Sequence, residues 1–215
     1  MVGERELSEL RREYAASGLD ESDLAGDPVT MFETWMADAV AAALHEPNAM
    51  VLSTASSTGH PSSRTVLLKG VGERGFVFYS NYASRKAAEL EAGPVCSLLF
   101  PWFALERQVR VEGTAARLSD DENDAYFSSR PRASQIGAWA SPQSEVVAGR
   151  SVLDERYTLT AQRFGEARVP RPEHWGGYCV APESVEFWQG RRGRMHDRIR
   201  YRRTTDGWAT ERLAP

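Results

Sequence analysis

Apolar residues recur at helical spacing over residues 29–45, through Met31, Phe32, Trp35, Met36, Ala39, Val40, Ala43 and Leu44, and predict a core-facing helix. From Ala49 the period shortens. β-Prone runs at 49–55, 62–69 and 75–80 are joined by Ser-Ser-Thr-Gly-His-Pro and Gly-Val-Gly-Glu-Arg-Gly, short connections that predict an antiparallel meander. A helix is expected over 84–91, then strands over 95–103 and 107–118, with a bulge or bend at Gly113. Ser119 and Glu122 form an S-x-x-E capping box opening a helix that runs toward Ser129 and stops before Pro131. Helices over 132–140 and 150–165, a Pro-rich connector over 168–175 and strands over 177–188, 194–203 and 207–213 complete the pattern. Residues 4–16 read as a charged N-terminal helix.

Six or more antiparallel strands with helices inserted between them predict a mainly β, α+β fold, a closed or nearly closed barrel decorated by helices. At 215 residues the chain suits one domain with a single core. Its hydrophobic fraction of 41% and charged fraction of 26% are those of a globular protein. The first residues are rich in Glu and Arg and lack the apolar stretch of a signal peptide, so a cytoplasmic location is expected. The apolar run at 95–105 is about half of the roughly 20 residues that cross a bilayer and reads as a buried strand. Cys96 and Cys179 stand apart with no Cys/His cluster, which signals neither a zinc site nor a disulfide framework. A net charge of −4 argues against bulk attraction to nucleic acid, so any bound anion must be held locally.

Of 26 basic residues only two, Lys69 and Lys86, are lysines, and both fall in candidate motifs. Arg64 and Lys69 bound the run RTVLLK; at odd separation in a strand they lie on opposite faces unless a bulge intervenes, and read alone they are equally two solvated strand-end charges. Arg85 and Lys86 occupy an expected first helical turn, where cations oppose the helix dipole unless an anion sits there. Arg194, His196 and Arg198 share one face of an expected strand; the same pattern also describes an exposed basic edge. Tyr126 and Arg130 are four apart on a helix, with Ser134 just past Pro131, a set that suits a phosphate monoester. Gln108, Gln143, Ser144 and Trp188 offer groups that satisfy a heteroaromatic ring edge, although Trp188 alone reads as core. No GxGxxG or phosphate-binding P-loop motif, catalytic triad or metal cage appears in the sequence.

Taken in order, RREY at 11–14, RTVLLK, FYSNYASRK, LLFPW, LERQVRVEG, SRPRASQIGAWAS, WGGY, EFWQG, RMHDR and the terminal RLAP resemble the pyridoxamine 5′-phosphate oxidases over nearly the whole chain. That resemblance implies an FMN-binding split β-barrel working as a homodimer, with flavin at the subunit interface. It implies that residues 1–28 form a helical or flexible segment covering the active site and that 29–215 form the barrel domain. Flavin contacts would come from Arg64, Lys69, Tyr79, Ser80, Arg85, Lys86, Gln108, Gln143, Ser144, Trp188 and Arg198. Tyr126, Arg130, Ser134 and Lys69 would meet the substrate phosphate, Arg194 and His196 the reacting pyridine, and Arg11 and Tyr14 would close over it. The reaction implied is oxidation of pyridoxamine or pyridoxine 5′-phosphate to pyridoxal 5′-phosphate, with O2 as acceptor and hydrogen peroxide as product. The sequence departs from the family at Ser80, where Thr is frequent, and at the added charges Arg191 and Arg192. Competing readings are a split-barrel flavin reductase or deazaflavin-dependent oxidoreductase, and a non-catalytic flavin or pyridoxal phosphate carrier.

Overall fold

A computed structural model describes residues 13–14 and 18–215; Arg11 and most of the helix expected over 4–16 lie outside the described residues. The chain divides into two compact units, one of residues 1–47, 99–111 and 183–215 and the other of 48–98 and 112–182. Three strands, β5 (Val95–Trp102), β6 (Arg107–Arg117) and β7 (Trp175–Gln189), contribute residues to both.

In the first unit, α1 (Pro28–Ala41) opens on Asp27, whose carboxylate accepts from the backbone N–H groups of Val29 and Thr30, and proline at the first helical position needs no N–H partner. The helix buries Met31, Phe32, Trp35 and Ala39, with Phe32 against Phe100 and Trp35 edge-on to Phe187. The last half of β7 pairs antiparallel with β8 (Asp197–Thr204), which pairs with β9 (Gly207–Arg212).

The second unit holds two hairpins. β1 (Ala49–Ala55) pairs with β2 (Pro61–Leu67), Leu52 opposite Arg64, and β3 (Gly70–Gly72) pairs with β4 (Gly75–Asn81), which also pairs with the start of β7. Its helices are α2 (Arg85–Ala92), α3 (Asp120–Ser129), α4 (Arg132–Ala140) and α5 (Arg150–Phe164). The capping box at the start of α3 forms as expected, with Ser119 accepting from Glu122 N–H and Glu122 accepting from Ser119 N–H. Phe127, Ile136, Val169 and Trp175 form a small core beneath the helices, with Tyr79 and Tyr126 packed on it.

The strand order β2-β1-β5-β6-β7-β4-β3 corrects the expected meander: the hairpins β1–β2 and β3–β4 stand at opposite ends of the order, because the chain leaves β2 after Leu67. At Gly113 β6 stays continuous; the glycine is required because a Cβ there would lie 2.1 Å from the Ala181 carbonyl oxygen. The larger correction concerns residues 194–196. The strand is expected to begin at Arg194, and these residues lie ahead of the one that forms. Residues 192–194 form a tight turn in which Gly193 and Arg194 have φ of 62° and 63°, and extended structure starts only at Asp197. Period two therefore does not place Arg194, His196 and Arg198 on one strand face. No helix among the described residues is long and apolar enough to cross a membrane.

Candidate active site

A cavity of about 530 Å³ opens in the second unit, and its lining carries four cationic side chains, Arg64, Lys69, Lys86 and Arg130, and no carboxylate. β2 supplies Arg64. Lys69 lies beyond the end of that strand, so odd spacing no longer separates it from Arg64 and both reach the cavity. The end of β4 supplies Tyr79, Ser80 and Asn81, the first turn of α2 Lys86, α3 and its C-cap Tyr126 and Arg130, α4 Ser134, and the following loop Gln143.

Lys86 Nζ donates to Ser80 Oγ and Ser84 Oγ at 3.1 Å each and to Gln143 Oε1 at 2.8 Å, all neutral partners. Burial and the nearby Arg64 guanidinium push its pKa down to about 8. Arg64 donates to Leu52 O, Thr54 Oγ1, Ser62 Oγ and, at 3.2 Å, Glu89 Oε2. Burial alone would raise the pKa of Glu89, but hydrogen bonds from Ser62, Thr54 and Arg85 hold it down at about 2. Arg85, 61% exposed, turns to Glu89 Oε1 at 2.8 Å and does not line the cavity.

On the far side, Tyr79, Tyr126 and Trp175 form a slab of near-parallel rings, Tyr79 to Tyr126 at 3.8 Å and 11°. The Arg130 guanidinium lies 4.6 Å from the Trp175 ring centroid. Burial lowers its pKa, and its Nη1 is a buried nitrogen without a hydrogen-bond partner. A buried guanidinium donor left unpaired costs desolvation energy, so the cavity has the chemistry of an anion site. A phosphate ester fits it: cations and hydroxyls converge and no carboxylate lines the cavity.

The first unit carries a second constellation. Trp188 and His196 pack at 4.6 Å between ring centroids, and the Tyr14 ring meets both edge-on, at 5.7 and 5.4 Å. Arg194 is exposed, while Arg198 is held by Glu186 through 2.7 and 3.2 Å bonds. Burial and Arg194 lower the His196 pKa against an opposing pull from Asp197. Gln108 is half-buried near the start of β6, and Ser144 is exposed beside Gln143 with φ of 75°.

Sequence reasoning passed over the carboxylates Glu89, Glu186 and Asp197 and the platform residue Trp175. Only Glu89, four residues after Arg85 on a helix, carries a spacing signal; Glu186 and Asp197 meet their partners through strand pairing and a loop.

Residues 36–162 match a family model described as pyridoxamine 5′-phosphate oxidase, and residues 175–215 match one described as the pyridoxine 5′-phosphate oxidase C-terminal dimerisation region. The chain is 61% identical over 214 residues to a pyridoxine/pyridoxamine 5′-phosphate oxidase of a Nocardioides species, covering 100% of both chains. It is 56% identical to one from Rubrobacter xylanophilus, covering 98% of this chain and 97% of that one. Among solved structures, PhzG from Burkholderia lata, in complex with tetrahydrophenazine-1-carboxylic acid, superposes with a TM-score of 0.86 at 32% identity, over 92% of this chain and 98% of that one. A pyridoxamine 5′-phosphate oxidase-related, FMN-binding protein from Nostoc punctiforme gives 0.70 at 16% identity, over 89% of this chain and 100% of that one, a likeness of fold alone and of the split-barrel class expected. The chain belongs to the pyridoxamine 5′-phosphate oxidase family and is one of its flavin-dependent oxidoreductases.

Proposed function

We propose that this oxidase uses FMN to convert pyridoxamine and pyridoxine 5′-phosphate to pyridoxal 5′-phosphate, passing electrons to O2 to give hydrogen peroxide, as a cytoplasmic homodimer with FMN at the subunit interface. The observation that carries the choice of a phosphorylated substrate is Arg130, whose buried Nη1 has no partner in a cavity lined by cations.

When bound, FMN supplies the two-electron redox chemistry, and the chain supplies position and charge. Arg64, Lys69, Ser80 and Lys86 hold the flavin phosphate, with Arg85 released from Glu89 to join them. Tyr79, Gln108, Gln143, Ser144, Trp188 and Arg198 hold the ring and its edge. Lys69, Tyr126, Arg130 and Ser134 grip the substrate phosphate. Anchoring the ester phosphate fixes the pyridine's position, so the entropy of alignment is already lost before reaction. Arg194 and His196 orient the pyridine, and Arg11 and Tyr14 on the N-terminal segment close over it. The dimer is supported by the match of 175–215, which includes Trp188, Arg194, His196 and Arg198, to the family's dimerisation region.

The test is an aerobic assay on purified protein whose bound flavin has been identified by extraction. Oxygen uptake and an absorbing aldehyde on addition of pyridoxamine 5′-phosphate are expected. Bound cofactor without turnover would instead mark a carrier.

A further inference from the structure

Asp197 is the first residue of β8 and follows His196 directly. Its side chain is 13% exposed, and both carboxylate oxygens are engaged. Oδ2 accepts from Leu19 N–H at 3.0 Å and from Arg191 Nη1 at 3.1 Å, and Oδ1 accepts from Arg212 Nη1 at 2.7 Å. Arg191 is thus anchored at its guanidinium while its backbone N–H reaches His196 Nδ1 at 3.1 Å. A backbone N–H can only donate, so Nδ1 is the acceptor and the neutral ring carries its proton on Nε2. The same carboxylate fixes Leu19, five residues beyond Tyr14, whose ring edge lies on His196 and Trp188.

We propose that Asp197 is a positioning residue: through Arg191 it holds His196 as an Nε2–H hydrogen-bond donor. The assignment rests on reading His196 as a substrate-facing group. While the Arg191 bond holds, Nε2 can give a hydrogen bond to a ring substituent of the substrate but cannot take up a proton. A second proton has to enter at Nδ1, which breaks the bond and frees the loop. The charged groups facing His196 are Arg194, which opposes that protonation together with burial, and Asp197, which favours it; Tyr14 and Trp188 add only ring contacts.

The experiment is nitrogen-15 NMR on histidine-labelled, flavin-loaded protein. The chain has four histidines, and His196 is assigned by the signal lost in His196→Gln. At a pH above the histidine range, wild type should show a pyridine-like Nδ1 and a protonated Nε2. Asp197→Asn should show mixed tautomers and lose kcat/KM roughly tenfold to a hundredfold with flavin affinity unchanged. Glu211→Gln, which removes ion pairs to Arg200 and Arg202 on the same hairpin, should leave tautomer and kcat/KM as in wild type. Where Asp197→Asn does not fold, Arg191→Ala, which removes an arm 44% exposed, should give the same mixture. A wild-type ring protonated at Nδ1, or the wild-type tautomer retained in Asp197→Asn or Arg191→Ala, overturns the proposal. The tautomer is read without turnover, so a failed oxidase assay and a failed positioning role give separate results.

Discussion

Lys86 donates to two hydroxyls and an amide, none of them anionic, while burial and the nearby Arg64 guanidinium bring its pKa down to about 8. A bound phosphate favours the ammonium, so flavin affinity should fall as pH rises above about 8, read by fluorescence titration of flavin-free protein. The linked stability has the opposite sign. Between about 8 and the unfolded value of 10.5 the unfolded chain binds more protons at this lysine, so flavin-free protein should gain stability as pH rises through that window. Arg130→Met should raise KM for the phosphate ester roughly tenfold to a hundredfold with flavin content unchanged, because a charge-assisted hydrogen bond is lost. It should not lower the melting temperature of ligand-free protein, since the nitrogen removed is unpaired there. The candidate cations were legible because residue type and spacing announce them; that one of them is orphaned depends on burial, which no local pattern encodes.

At the scale of elements, Glu89 sits one helical turn beyond Arg85 and receives Thr54, Ser62, Arg64 and Arg85. Its carboxyl is held near 2 against 4.5 when unfolded, so its contribution is complete above pH 4.5 and is lost as pH falls toward 2. Glu89→Gln should cost about 2–3 kcal/mol at neutral pH and remove that part of the acid dependence, both measurable by denaturant titration. Gly113→Ala should cost about 2–4 kcal/mol, because backbone has to move away from Ala181 O; a change within measurement error would contradict the close approach. Helix ends marked by Ser119 and Pro131 were readable because capping is local chemistry. Residues 190–196 were not. Alternation of Arg194, His196 and Arg198 imitates a strand, while the turn is set by two left-handed residues, one of them an arginine that gives no sign of it.

For the whole molecule, the antiparallel class followed from the turn spacing, while β3 (Gly70–Gly72) reads in the sequence as connection; strand order did not follow, because β4 pairs with β7, some hundred residues away, through a register that only the folded chain sets. Family resemblance, rather than spacing, is what groups the two constellations, cationic cavity and aromatic loop, into one expected site. On the proposed dimer, sedimentation at micromolar concentration should show a species of twice the chain mass, with flavin retained; a flavin-loaded monomer would remove the interface from the account. The most direct measurement is a crystal structure of the protein with FMN and pyridoxal 5′-phosphate bound. The account predicts the flavin phosphate on Arg64 and Lys86 and the ester phosphate on Arg130, Tyr126 and Ser134, with His196 Nε2 facing the pyridine. Both phosphates lying outside the cavity, with Arg130 Nη1 still unpaired, would contradict it.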